Sequence, residues 1–164
     1  MPQRGGEQLA LQPRQLGDVL RPAPLPDGAF DRVLVDAPCT GLGALRRRPE
    51  ARWRRRPEDV AELSRLQREL LTAALRYVRP GGVVAYVTCS PHLAETVGVV
   101  AAVTRRRGKP ASEEKAEEEI AVEQLDARPY LPGVPALGPG PSVQLWPHRH
   151  GTDAMFLALL RRTP

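Results

Sequence analysis

The chain has 164 residues, enough for one domain with a real core, and its 41% hydrophobic and 26% charged residues exclude disorder over the whole length. The formal charge of +5 rests on 24 cations, of which 22 are arginine, the side chain whose planar fork suits phosphate, so an anionic partner fits. No apolar run reaches the roughly 18 residues of a spanning helix and residues 1–17 carry no signal-like stretch, which predicts a cytoplasmic protein with no membrane partner.

In chain order, residues 30–36 (FDRVLVD) predict a short, mostly buried strand that follows a turn-rich PLPDGA and runs at once into APCTGLG. Next comes a basic run at 46–56, with seven arginines and Trp53 against one glutamate. It reads either as a solvated face or as a surface for something anionic. Pro57, Glu58 and Asp59 supply helix-start chemistry, and Val60, Leu63, Leu66, Leu70, Leu71, Ala74, Leu75 and Val78 recur at three- and four-residue steps, predicting a helix over 59–78. Pro80-Gly81-Gly82 ends it. Residues 83–87 (VVAYV) predict a second buried strand leading into Thr88-Cys89-Ser90-Pro91, and the Ala/Val-rich residues 93–104 predict another helix. From there a basic cluster passes into an acidic one, and a Pro/Gly-rich stretch follows at 129–141, so 105–141 is expected to be an exposed connection. The final SVQLWPHRHGTDAMFLALLRR places two apolar segments around a polar turn, the pattern of a terminal β-hairpin.

Strand, helix and strand form a β-α-β unit, whose strands should be parallel and end at the same edge. If they are neighbours, about 4.8 Å apart, the loops carrying Cys39 and Cys89 emerge side by side where open α/β sheets bind ligands. The two cysteines make no C-x-x-C pair, which argues against a zinc knuckle and a thioredoxin-like motif. Each reads either as a small core residue or as a group placed for chemistry at a strand end. His92, His148 and His150 read as polar loop residues, and no metal is expected.

The segments VLVDAPCTGLG, YVTCSP and LWPHRHGTDAMF resemble three consecutive motifs of the S-adenosylmethionine-dependent RNA cytosine-5 methyltransferases, nearest to the bacterial 16S rRNA enzymes of the Sun type. The resemblance runs from about Gly17 to Arg162 and implies an α/β, Rossmann-like class I methyltransferase fold, rRNA as the partner and S-adenosylmethionine as the cofactor. It implies that the thiolate of Cys89, in the Thr-Cys motif, attacks C6 of the target cytosine. Cys39, in the Pro-Cys motif, then assists breakdown of the covalent adduct. Asp36 falls near both cofactor and cytosine ring, with Pro38 of the same motif on the substrate side, and Asp18 of Gly17-Asp18 falls near the adenine. The chemistry suits a thiol, which adds to an electron-poor ring and leaves again when its pKa is lowered. The target base must be unstacked to be reached. Arg46, Arg47 and Arg48, directly after the Asp36–Gly43 loop, would hold phosphates beside the cleft.

The family's glycine-rich cofactor loop lies before the Gly-Asp motif, where only sixteen residues stand here, and no G-x-G-x-x-G occurs in the chain. The expectation is therefore a single partial catalytic domain over 1–164, N-terminally truncated, lacking the first strands and the glycine-rich loop. A separate chain carrying that half is a conceivable partner, and an inactive remnant with residual RNA binding is the alternative function. Where the family has Glu-Asn after the Thr-Cys loop, this chain has Glu95-Thr96.

Overall fold

The computed structural model describes residues 25–105 and 120–164, and Asp18 lies outside them. Five strands form one mixed sheet: β1 (Phe30–Asp36), β2 (Val78–Thr88), β3 (Val122–Leu125), β4 (Val143–Gln144) and β5 (Phe156–Arg162). The spatial order is β1-β2-β5-β3, with β4 added to β5. The helices are α1 (Ala51–Arg54), α2 (Pro57–Tyr77), α3 (Val97–Thr104) and α4 (Pro147–His150).

The expected β-α-β unit is present. β1 and β2 pair in parallel with Asp36 opposite Val87, so the two strands end level. α2 joins them, with Pro57 in its first turn and the Asp59 carboxylate accepting the Arg56 backbone N–H at 3.1 Å. Its apolar stripe buries Leu71, Ala74 and Leu75 against Val84, Tyr86, Val99, Phe156, Ala158 and Leu160. Tyr86 meets Phe156 edge-on, with ring centroids 6.2 Å apart.

Four departures from the sequence reading have physical causes. β2 begins at Val78, before Pro80-Gly81-Gly82, because the chain turns extended as soon as the helix ends, and the irregular stretch appears as a register shift opposite Phe30/Arg32. β1 is not a buried strand: among the described residues it pairs with β2 alone, leaving Leu34 68% exposed while Val33 and Val35 turn to the core. The connection expected at 105–141 is structured in its described part. Val122–Leu125 pair with β5, and Ala127, Leu137 and Val143 form a second small core on the sheet face that carries Leu157 and Leu159; residues 106–119 lie outside the described residues. The terminal hairpin exists only as the short β4–β5 pairing, because Pro147 starts a helical turn between them. No described helix is long and apolar enough to cross a membrane.

Leu71 is fully buried at the centre of the helix–sheet contact. Leu71→Ala is expected to lower unfolding free energy by about 2–5 kcal/mol, seen as a reduced urea midpoint with an unchanged slope.

Candidate active site

The level ends of β1 and β2 send two loops out from adjacent positions, and three tethers keep them together. The Ala37 N–H donates to the Val87 carbonyl at 3.0 Å. The Gly43 N–H donates to the Cys89 carbonyl at 2.9 Å, and the Gly43 carbonyl accepts from the Ala154 N–H at 3.0 Å. The approach is close enough that a Cβ on Gly43 would lie 2.3 Å from the Ala154 oxygen and 2.7 Å from the Cys89 oxygen, so only glycine fits. The third tether is Glu95, fully buried, which accepts from Thr40 and Ser90, the residues that follow the two cysteines.

The outcome is a pair of free thiols with Sγ atoms 3.4 Å apart. Cys39 is buried and Cys89 half-buried. The hydrogen bond between the two thiols holds the Cys89 pKa down at about 7, against burial and the nearby negative charges of Asp36 and Asp153. The same hydrogen bond, with burial and the Cys89 charge behind it, pushes the Cys39 thiol well above the ordinary range. One proton is thus shared unequally. Cys39 holds it more firmly, and Cys89, the more exposed sulfur, ionises first.

Of the residues singled out from the sequence, Cys39, Cys89, Asp36 and Pro38 come together at this edge. Asp36 is exposed at the end of β1, and the Pro38 carbonyl accepts from the Gln67 amide at 2.9 Å. Arg46 and Arg47 are engaged within the protein: Arg46 Nε donates to Asp153 at 2.8 Å, and Arg47 donates to the same carboxylate through Nε at 2.9 Å and through a terminal nitrogen. These partners hold the Asp153 carboxyl below its usual range, Arg47 foremost. Arg48 is exposed and in no ion pair among the described residues, as are Arg52, Arg54 and Arg56. Arg55 donates to the Thr40 and Cys39 carbonyls at 3.2 and 3.3 Å, fastening the start of α2 to the Cys39 loop. The sequence reading assigned no role to Glu95, Gln67 or Asp153, and it placed Arg55 only within the basic run at 46–56. The available signal was polarity in the wrong place: Ser64 and Gln67 fall on the buried face of an amphipathic helix, where apolar side chains belong. Among the described residues no cluster of three or more His, Cys, Asp or Glu could hold a metal ion.

A mixed sheet with a parallel β-α-β unit that presents two thiols at its strand ends is part of a Rossmann-like α/β fold. The family model described as 16S rRNA methyltransferase RsmB/F matches residues 11–161, and the chain belongs to that family. The Mycobacterium tuberculosis (strain H37Rv) protein Rv1407 is 66% identical over 137 residues, which is 83% of this chain and 27% of that protein. Among solved structures, PH0851 matches with a TM-score of 0.68 and 34% identity over 83% of this chain and 27% of its own. NSun6 from Pyrococcus horikoshii, solved with SFG, matches with a TM-score of 0.59 and 27% identity, over 80% of this chain and 29% of that one. The chain therefore spans between a quarter and a third of the length of these relatives.

Gly43→Ala is expected to separate the two loops. It should cost about 1–3 kcal/mol of stability through overpacking against backbone that cannot yield, measured by chemical denaturation.

Proposed function

We propose that this chain carries the nucleophilic part of an RNA cytosine-C5 methyltransferase acting on rRNA, with Cys89 as the nucleophile and Cys39 as the residue that promotes release. The observation that supports the reading most directly is the thiol pair 3.4 Å apart, in which the half-buried member is the more readily ionised. The Cys89 sulfur adds to C6 of an unstacked cytosine, opening the C5–C6 double bond and leaving the electron pair at C5. S-adenosylmethionine would supply the methyl group to that electron pair, its S–CH3 bond breaking to release S-adenosylhomocysteine. Loss of the C5 proton then returns the pair to the ring and expels the Cys89 thiolate.

The shared proton suggests how Cys39 enters. Its thiol is held protonated first by its hydrogen bond to Cys89, then by burial, then by the charge on Cys89. Once the Cys89 sulfur is a thioether, the first and third causes vanish, and burial and the smaller effect of the Glu95 charge still oppose ionisation. Cys39 therefore becomes easier to deprotonate at the stage when a base is needed near C5. Before addition it stabilises the nucleophile, and after addition it is freed to take part in release.

The described residues do not by themselves make a site for the donor. Asp36 offers one exposed carboxylate, but in the glycine-bearing loop beside it the Gly43 N–H and carbonyl are both engaged within the protein. For the RNA, Arg48, Arg52 and Arg54 fit the phosphate-binding role better than Arg46 and Arg47, which neutralise Asp153.

A chimera in which this chain replaces the matching 137 residues of Rv1407 tests the cysteine roles. Cys39→Ser is expected to accumulate covalent RNA adduct on a denaturing gel and Cys89→Ser to form none; the reverse pattern, or adduct in neither, overturns the assignment. For the chain itself, replacing Arg48, Arg52 and Arg54 with alanine is expected to flatten the slope of log affinity for single-stranded RNA against log salt by up to about 0.7 per residue. An unchanged slope in a variant whose circular dichroism matches the parent would reduce the run to a solvated face.

A further inference from the structure

Glu95 is fully buried, 0% exposed, a position where a carboxylate is costly unless its lone pairs are used. Three of its four side-chain hydrogen bonds go to the two cysteine loops and the fourth to α2. Oε1 accepts the Thr40 backbone N–H at 2.8 Å and the Gln67 amide at 3.2 Å, and Oε2 accepts the Thr40 hydroxyl at 2.5 Å and the Ser90 hydroxyl at 2.6 Å. Its own backbone is fixed by the Tyr86 hydroxyl, which donates to the Glu95 carbonyl at 2.7 Å, and by its N–H, which donates to the His92 carbonyl at 2.9 Å. Gln67 extends the network to the Pro38 carbonyl at 2.9 Å, on the other side of Cys39. The residue after each cysteine is thus tied to one side chain, and that side chain is anchored to the sheet through Tyr86.

We propose that Glu95 is a positioning residue for the thiol pair: by holding Thr40 and Ser90 on one carboxylate it sets the Cys39–Cys89 separation at which one thiol can donate to the other. The inference rests on the reading of Cys89 as nucleophile only for its catalytic meaning; the geometry and its test concern the thiols themselves. Glu95 acts through hydrogen bonds. An amide at this position reproduces them, since its carbonyl can accept from the Thr40 N–H and Gln67 while its NH2 donates to the Thr40 and Ser90 hydroxyls, which accept equally well. Removal of the side chain leaves Thr40 and Ser90 without a common partner, and the loops lose their shared register.

The test is the pH profile of alkylation by iodoacetamide in the full chain, with Cys39 and Cys89 distinguished by peptide mass mapping. The groups that set the Cys89 titration are Cys39, Asp36 and Asp153, with Arg47 also facing Cys89; the Glu95 substitutions leave all four in place, and Glu95→Gln isolates the effect of the Glu95 charge, which acts on Cys39. In the unaltered chain the Cys89 rate should rise with a midpoint of about 7. Glu95→Ala is expected to move that midpoint toward the ordinary thiol value of about 8.5 and to slow alkylation at pH 7 on the order of tenfold. Glu95→Gln is expected to keep the midpoint of the unaltered chain. A role in stability alone would lower the denaturation midpoint of Glu95→Ala and leave its alkylation profile in place, which overturns the proposal. A Glu95→Gln midpoint displaced as far as that of Glu95→Ala also overturns it, because charge would then be the active property. Should Glu95→Ala fail to fold, Thr40→Val and Ser90→Ala each remove one arm of the clamp; an upward shift in either supports the proposal, and unmoved profiles in both refute it. Failure of the adduct experiment with these profiles as expected would count against the methyltransfer roles and leave the clamp standing.

Discussion

The parallel pairing of β1 with β2, in a register that sets Asp36 opposite Val87, is the constraint on which the site depends. Parallel strands joined by a helix end at the same edge, so residues fifty positions apart leave the sheet as neighbours. A shift of that register would carry the two loops out of step and move Cys39 away from Cys89. The long amphipathic α2 maintains the pairing by burying Leu71, Ala74 and Leu75 over both strands. It also contributes Gln67 to the network that aligns the loops.

Above the strand ends the interactions change character, from apolar packing to hydrogen bonds among buried polar groups. Thr40, Gln67, Ser90, Glu95 and Asp153 are all buried, and apart from the Gln67 side-chain oxygen their polar atoms find partners across loop boundaries. Such groups are costly when unpaired and directional when paired, so a network of this kind defines one arrangement of the loops more sharply than an apolar contact would. The arginine run divides along the same line. Arg46 and Arg47 neutralise Asp153, Arg55 secures the loop carbonyls of Cys39 and Thr40, and the exposed remainder gives the protein its cationic surface beside the cleft.

β1 shows how the fold meets its surroundings. It lies at one edge of the described sheet, yet it carries Phe30 and Leu34 on its exposed face. An edge with apolar side chains and unpaired backbone groups is a surface that proteins ordinarily cover. The relatives this chain matches are about three times its length.

Local pattern was enough to read β1, α2 and the later part of β2, because the period of apolar residues and the Pro, Gly and acidic end signals report directly on local structure. The convergence of Cys39 and Cys89 was legible too, since a β-α-β unit has one topology and its loops follow. What the sequence could not determine was how residues distant in the chain share polar atoms. Nothing local marks Glu95 as the partner of Thr40 and Ser90, or Asp153 as the partner of Arg46 and Arg47, 107 and 106 positions away. Likewise the central place of β5, between β2 and β3, depends on long-range pairing that leaves no periodic signature of its own. Apolar burial is written in the spacing of side chains along each element. The partner of a buried hydrogen-bonding group is decided only when the elements have packed and one geometry satisfies them all.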